Sequence, residues 1–291
     1  MLRTVAFVLF VGVNALMAAF IAPVRQAQAQ EARIAVSQCQ AIAQSLPGEA
    51  IFANIIPVAA SGLQFVQSSG DAMSAREDVR ITYIGHSTYF IETPGGIGIA
   101  TDYSGVHRPV RMPDVVTMNK AHSTHFTLRP DAGIAEVLHG WSDVPGEAAR
   151  HDIVVGDAYI RNVTTDIRSW GGGFEEDGNS IFIFEIAGLC IGHLGHLHHE
   201  LTDSHYTQIG RLDILMVPVD GGLTMGADSM GAVVERLRSS LILPMHRPSG
   251  LGRFLSMLSD RFDIVHAREP VITVSVRTLP RRPTILVPQG M

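Results

Sequence analysis

Short runs of apolar, β-forming residues recur along the chain and constrain its fold more than any other feature. They cover residues 79–83, 88–92, 98–101, 115–118, 152–155, 180–191, 214–217 and 240–243. Pro94-Gly95-Gly96 predicts a turn after the second run, so the first three runs form a meander. Glycine-rich and helical stretches separate the later runs, and residues 230–238 are the clearest helix. Strands mixed with helices in this way predict an α/β domain whose sheets are covered on both faces.

The first 29 residues have the pattern of a secretory signal. Arg3 precedes an uncharged stretch at residues 4–22, and Ala27-Gln28-Ala29 is the small-x-small pattern of a cleavage site. We expect cleavage after Ala29 and a periplasmic or secreted protein. The uncharged stretch is also just long enough to cross a bilayer, so an uncleaved N-terminal anchor remains an alternative.

The residues after this signal divide into two regions. Residues 31–46 have apolar groups at helical spacing and are followed by Pro47-Gly48, which predicts an amphipathic helix. We assign residues 30–75 to an N-terminal helical segment and residues 76–291 to the main domain. A break in the pattern at residues 68–71 separates the two.

The charge balance argues against polyanionic partners. The chain has 22 basic and 28 acidic residues, which gives a formal net charge of −6. This balance disfavours nucleic acid and, apart from the possible N-terminal anchor, an anionic membrane surface. A small-molecule substrate is the expected partner, and the sequence leaves the oligomeric state open.

Cys39 and Cys190 are the only cysteines of the chain. An oxidising compartment would permit a disulfide between them. Because Cys190 lies within the apolar run at residues 181–191, an inert buried thiol is the favoured interpretation. A disulfide remains the alternative.

Histidines follow the ends of several apolar runs. Five of them come shortly after such a run: His122, His125, His193, His196 and His246. Imidazole is the commonest metal ligand in proteins, and layered α/β folds place their ligand clefts at strand ends. The pattern therefore predicts that histidines from distant parts of the chain converge around a metal ion.

Five segments, in order, resemble the metallo-β-lactamase superfamily, most closely its lactonase-like and phospholipase-D-like branch. They are ITYIGHSTYFIETPGGIGIATD from Ile81, VVTMNKAHSTHFT from Val115, IGHLGHLHHELT from Ile191, DILMVPVDGG from Asp213 and LILPMHRPSG from Leu241. The resemblance implies a four-layer αββα sandwich with one or two metal ions at one edge. It also implies hydrolysis of an ester, lactone, amide or phosphodiester bond by a metal-activated water.

The chain departs from the H-x-H-x-D-H loop of this family at two of its four ligand positions. The first histidine of the loop falls on Lys120 and the aspartate falls on Thr124, whereas His122 and His125 match. Lys120 is the only lysine of the chain, and its ammonium group would oppose a nearby divalent ion. Two ions therefore become hard to hold.

The later segments supply the remaining ligand positions. The family's next histidine falls on His193, its bridging aspartate on His196 and its last histidine on His246. The resemblance thus implies one metal held by His122, His193 and His196. It implies a second, poorer position between His125 and His246. Zinc is the expected metal, one ion rather than two, with manganese or iron as alternatives.

Other residues are assigned supporting roles by the same resemblance. Lys120, His125 and His196 are candidate catalytic residues, with Lys120 acting as a local cation or as a base. Asp102 matches a family aspartate and is expected to orient the metal loop. His86, in Gly85-His86-Ser87, is expected to support the ligands or to be purely structural.

The replaced carboxylates leave a second interpretation open. A catalytically impaired protein could keep the sandwich and use its histidine-lined cleft to bind a ligand or a metal. The lost carboxylates favour this binding module, whereas the histidines that remain in register favour the hydrolase.

Overall fold

The computed structural model describes residues 36–45, 77–144, 146–169 and 171–291. The predicted signal peptide and most of the predicted N-terminal helical segment lie outside these residues. Within them, no helix combines the length and the apolar character that a membrane crossing requires.

The described residues form fourteen strands and four α-helices. The strands are β1 Val79–Gly85, β2 Thr88–Glu92, β3 Gly98–Ala100, β4 Val115–Met118, β5 Glu136–His139, β6 Asp152–Val155, β7 Ala158–Arg168, β8 Phe174–Ile186, β9 Leu189–His193, β10 Ile214–Pro218, β11 Leu241–Met245, β12 Asp263–His266, β13 Val271–Val274 and β14 Thr284–Val287. The helices are α1 Gln38–Ser45, α2 Asp203–Ile209, α3 Ala227–Leu237 and α4 Leu251–Leu258, and a 3₁₀ turn at Pro248–Gly250 precedes α4.

The strands assemble into two sheets. One has six strands in the order β13-β1-β2-β3-β4-β5, and the other has eight in the order β12-β14-β11-β10-β9-β8-β7-β6. The antiparallel β1-β2-β3 meander follows the sequence prediction. Strands β9, β10 and β11 are parallel neighbours, so their carboxyl ends lie at the same edge of the second sheet.

The sheets pack face to face, as predicted for a sandwich. Ile81 and Tyr89 of the first sheet share a core with Phe182, Met216 and Leu243 of the second. The outer face of the eight-stranded sheet is covered by the helices, through side chains such as Val234 of α3 and Phe254 of α4. In the described part of the chain, loop residues including Tyr103, Ile134 and Trp141 cover the outer face of the six-stranded sheet.

The apolar run at residues 180–191 is two strands rather than one. Ala187 and Gly188 have φ values of 50° and 79° and form the turn of the antiparallel β8-β9 hairpin. Such positive φ values at both central residues are typical of a type I′ turn. The surrounding apolar residues masked this turn in the sequence. The hairpin places β9 inside the sheet with its carboxyl end towards the predicted site.

Cys39 of α1 and Cys190 of β9 form a disulfide, so the prediction of an inert thiol was wrong. The apolar surroundings of Cys190 do not exclude a second buried sulfur, and both residues are almost fully buried. Nearby, the backbone amides of Gln38 and Cys39 donate to the carboxylate of Glu185. Helix α1 is therefore attached to the central part of the eight-stranded sheet by a covalent bond and by hydrogen bonds.

Candidate metal centre

Loops at one edge of the sandwich carry the histidines of the candidate site. His86 lies in the turn between β1 and β2, whereas His122 and His125 lie in the loop after β4. His246 is the first residue after β11. These strands belong to both sheets, so the face-to-face packing brings residues from distant parts of the sequence together.

Four imidazoles converge at this edge and are called the histidine cluster below. Nitrogen atoms of His86, His122, His125 and His246 all lie within 4.8 Å of one another. Nε2 of His86 is 3.3 Å from Nε2 of His125, and Nε2 of His122 is 3.3 Å from Nε2 of His246. A tetrahedral ion with Zn–N bonds of about 2.0–2.1 Å would separate its ligand nitrogens by roughly 3.3–3.4 Å. The donor set therefore fits a divalent transition metal.

Asp102 orients His125 from behind the cluster. Its Oδ2 lies 2.6 Å from Nδ1 of His125, and its Oδ1 accepts a hydrogen bond of 2.8 Å from Nδ2 of Asn119. Burial raises the pKa of Asp102, and the charges of His193 and His246 and hydrogen bonds from neighbouring side chains oppose that rise. Histidines that bind metals commonly donate their other ring N–H to such a carboxylate, which leaves Nε2 for the ion.

Asp220 has the same relation to His246, and the sequence analysis did not identify it. Its Oδ1 lies 3.0 Å from Nδ1 of His246, and its Oδ2 accepts hydrogen bonds from the backbone amides of residues 222–224. Burial alone would raise the pKa of Asp220, but hydrogen bonds from His246 and Thr224 hold it well below its usual range. The sequence feature that could have identified Asp220 is its position shortly after the predicted strand at residues 214–217, where ligand sites are expected.

The other two histidines of the cluster differ in how they are held. Nδ1 of His122 lies 2.8 Å from Oγ1 of Thr124, the residue found where the family resemblance places an aspartate. Thr124 therefore orients a neighbouring imidazole. Among the described residues, Nδ1 of His86 has no hydrogen-bond partner, and its Nε2 lies 3.3 Å from Nε2 of His125.

Three residues of the site have backbone conformations that are uncommon outside glycine. The φ values are 53° at His86, 42° at Asp102 and 78° at His246. A left-handed conformation costs about 1–2 kcal/mol for a residue with a side chain. Hydrogen bonds hold it in place here, since the amide of His246 donates to the carbonyl of His86 at 2.7 Å. Backbone strain of this kind is concentrated at functional sites.

Three histidines of the cluster are kept neutral by their surroundings. Burial, and then repulsion by neighbouring imidazoles, lowers the pKa values of His86, His122 and His125 below the ordinary histidine value. Neutral imidazole is the form that binds a metal ion, so the site is prepared for a cation.

His196, predicted as a primary metal ligand, packs beside the histidine cluster but is not one of its four members. It is only 4% exposed, and among the described residues neither its Nδ1 nor its Nε2 has a hydrogen-bond partner. Its ring centroid lies 4.7 Å from that of His125 and 4.9 Å from that of His246. Buried unpaired nitrogens usually indicate an ion, a ligand or a water between them. The ring nitrogens of His196 are therefore available to a bound group.

His193 lies outside the histidine cluster, so its interpretation as a primary metal ligand is revised. Its Nε2 lies 2.9 Å from the carbonyl oxygen of Ser87, and its Nδ1 accepts a hydrogen bond of 3.1 Å from the amide of Gly195. Both ring nitrogens are therefore used within the protein. His193 links the end of β9 to the turn that carries His86.

Lys120 pairs with a carboxylate at the surface and not with a group of the histidine cluster. Its ammonium group forms an ion pair with Glu175 of β8, and its side chain is 43% exposed. Neither ion pairs nor hydrogen bonds join it to a histidine of the cluster in the described part of the chain. The residue at the family's first ligand position thus forms a surface ion pair.

Comparisons with known proteins agree with this architecture. A family model described as "Beta-lactamase superfamily domain" matches residues 80–246, a range that includes the whole histidine cluster. A protein of Pyrococcus abyssi named UPF0173 metal-dependent hydrolase is 24% identical over 196 residues, which are 58% of this chain and 84% of that protein.

Solved structures give the same result. A Thermotoga maritima crystal structure, assigned as a Zn-dependent hydrolase of the metallo-β-lactamase superfamily, is 27% identical with a TM-score of 0.52 and covers 72% of this chain and 97% of that one. A structure from Parabacteroides distasonis, assigned as a metal-dependent hydrolase, has a TM-score of 0.50 at 16% identity, covers 63% of this chain and 90% of that one, and supports the fold alone.

Proposed function

Because this chain belongs to the beta-lactamase superfamily, we propose that it is a metal-dependent hydrolase whose ion is held by His122, His125 and His246. The observation that carries the proposal is the convergence of these imidazoles, each with an oxygen atom beside its Nδ1. When bound, an ion held by imidazoles lowers the pKa of a water molecule towards ~7 and polarises a carbonyl or phosphoryl oxygen.

One zinc ion per chain is the proposed cofactor. Imidazole ligands suit zinc, and a set of histidines without carboxylates is less suited to manganese. The family's aspartate positions hold Thr124 and His196 here, so carboxylates that would offset the charge of a second ion are missing from those positions. Manganese and iron are the alternatives that a metal analysis would detect.

The side chains of the site account for positioning and for hydrogen bonding to a substrate. Asp102 orients the ring of His125, and the carboxylate of Asp220 lies 3.0 Å from Nδ1 of His246. His196 has a ring N–H that is not used within the protein, and this N–H would donate to an oxygen of the bound substrate. Low exposure of this group strengthens such a hydrogen bond because water does not compete for it.

The proposed substrate is a small molecule with an ester, lactone, amide or phosphodiester bond. The proposed location is the periplasm or the exterior of the cell. The disulfide supports this location because disulfides persist in oxidising compartments and are rare in the cytosol.

Metal binding without catalysis is the second candidate function. It is favoured by the fourth imidazole of the cluster, His86, because four protein ligands fill a tetrahedral ion and characterise structural sites. A catalytic zinc site instead keeps one position open.

Metal analysis and a hydrolysis assay test the proposal together. Protein purified without chelators is expected to contain about one equivalent of zinc per chain. It should hydrolyse at least one member of a panel of esters, lactones, amides and phosphodiesters, lose activity with a chelator and regain it with zinc. Less than about 0.1 equivalent of every transition metal would contradict the proposal. A full equivalent of metal without activity across the panel would favour the binding function.

A further inference from the structure

The histidine cluster is asymmetric in how its members are held. Three rings have an oxygen atom within 3.0 Å of Nδ1, contributed by Thr124, Asp102 and Asp220. The ring of His86 has no such partner among the described residues. Partners of this kind keep a ligand in one orientation. Among the described residues, His86 is therefore the one member of the cluster whose Nδ1 has no oxygen atom beside it.

Hydrogen bonds fix the backbone of the turn that carries His86, whereas its ring is held by packing and by one contact to Nε2 of His125. The carbonyl of His86 accepts hydrogen bonds from the amide of His246 and from the hydroxyl of Tyr83. The ring of His86 is half-buried, with its centroid 4.2 Å from that of His246 on the cluster side and 6.3 Å from that of His107. A rotation about the side-chain bonds would therefore move the ring away from the cluster while the loop stays in place.

Whether His86 is bound decides how many coordination positions of the ion the protein fills. Three imidazoles around a tetrahedral ion leave one position open, and a fourth imidazole fills it. We propose that His86 is an exchangeable fourth ligand, which closes the metal site in the resting protein and is displaced when an external ligand or substrate enters. This inference rests on the proposed metal site. We call the exchange of His86 for an external ligand the gate.

Cobalt substitution tests the gate by a measurement that does not depend on turnover. Co²⁺ would be bound to wild-type protein and to His86→Asn and His86→Gly variants, and the visible absorption would be recorded during titration with azide. Both replacements tolerate the positive φ of this position, so the turn is expected to keep its fold. Circular dichroism and thermal unfolding would verify this. His266→Gln, an exposed histidine of β12, is the matched control.

The expected result is that both His86 variants keep one equivalent of Co²⁺, show an altered spectrum and bind azide at least about tenfold more tightly than wild type. This factor follows if His86 occupies the fourth position about nine-tenths of the time, because only the open fraction binds azide. The control should behave as wild type.

Three results would overturn the inference, and they separate it from the proposed function. Identical spectra and azide affinities for wild type and both His86 variants would show that His86 is not a ligand. Loss of Co²⁺ from folded His86 variants would show that it is a permanent ligand. If wild-type protein binds neither zinc nor cobalt, the proposed metal site fails as well.

Discussion

The surroundings of the disulfide, on the eight-stranded sheet, and the histidine cluster, at an edge shared by both sheets, are held together in different ways. Around the disulfide, polar groups are paired: Glu185 accepts from the amides of Gln38 and Cys39, and Arg161 donates to Glu185 and to backbone carbonyls of residues 208 and 209.

The histidine cluster has the opposite character. Within the described part of the chain, the two ring nitrogens of His196 and Nδ1 of His86 have no hydrogen-bond partner, and the backbone is strained at His86, Asp102 and His246. A region whose polar groups are all satisfied stabilises the fold, whereas unsatisfied donors and strain indicate a site that is completed by something it binds. The predictions below test this division of roles.

The largest expected effect is loss of the metal when a ligand of the cluster is removed. His125→Ala should lower zinc affinity by more than about a hundredfold, because it deletes a ligand and leaves Asp102 unpaired. Hydrolysis should fall to background. Metal content after gel filtration and the assay panel would check this, with His266→Gln as the control. A His125→Ala protein with full zinc content would contradict the assignment.

Breaking the disulfide should affect stability and spare the metal site. The crosslink joins residues separated by 151 positions, and the chain-entropy estimate for so long a loop is up to about 5 kcal/mol of unfolding free energy. Urea unfolding of the Cys39→Ser/Cys190→Ser double variant should show this loss. Zinc stoichiometry of the protein that remains folded should be unchanged. A loss of zinc in step with the disulfide would show that the two regions are coupled.

Asp220 is expected to act on the metal only through His246. Asp220→Asn should weaken zinc binding by about 10–100-fold, because the amide is a poorer partner for Nδ1 than a carboxylate. Competition with a chromogenic chelator would measure the affinity. Asp228→Asn, at an exposed aspartate of α3 that pairs with Arg253, is the matched control. Equal affinities in the two variants would remove Asp220 from the site.

The stability of the metal-free protein should depend on pH in the acid range. The pKa values of His86, His122, His125 and His196 are lowered in the folded state, chiefly by burial, and that of His198 is lowered to about 4. Below the ordinary value of about 6.5, the unfolded chain therefore binds more protons than the folded chain.

The free energy of unfolding should accordingly fall as the pH is lowered from 7 to 5, by about 1 kcal/mol or more per pH unit. Urea unfolding at several pH values, with metal removed, would measure this slope. Replacing His122 and His125 together by asparagine should reduce it, whereas His266→Gln should not. A stability that is independent of pH over this range would contradict the lowered pKa values of His86, His122, His125 and His196.

Much of the fold was predictable because its signals are local. Strands β2, β4 and β6 have the limits of the apolar runs at residues 88–92, 115–118 and 152–155. Strand β7 was not predicted, because polar residues such as Asn162 and Thr164 alternate with its apolar ones and weaken the signal of a buried strand. The β8-β9 turn was hidden because Ala187-Gly188 stands between apolar residues on both sides.

Sequence alone determined that histidines follow several strands, and therefore that imidazoles meet at one edge of a layered domain. Only the tertiary structure decided which of their nitrogens face the pocket. His193 and His196 are three residues apart, yet Ser87 and Gly195 occupy the nitrogens of the first, and those of the second are unpaired. The same holds for Cys39 and Cys190, whose pairing depends on where α1 packs. The physical reason is that a ring's orientation depends on hydrogen-bond partners contributed by distant segments, which no local pattern of residues specifies.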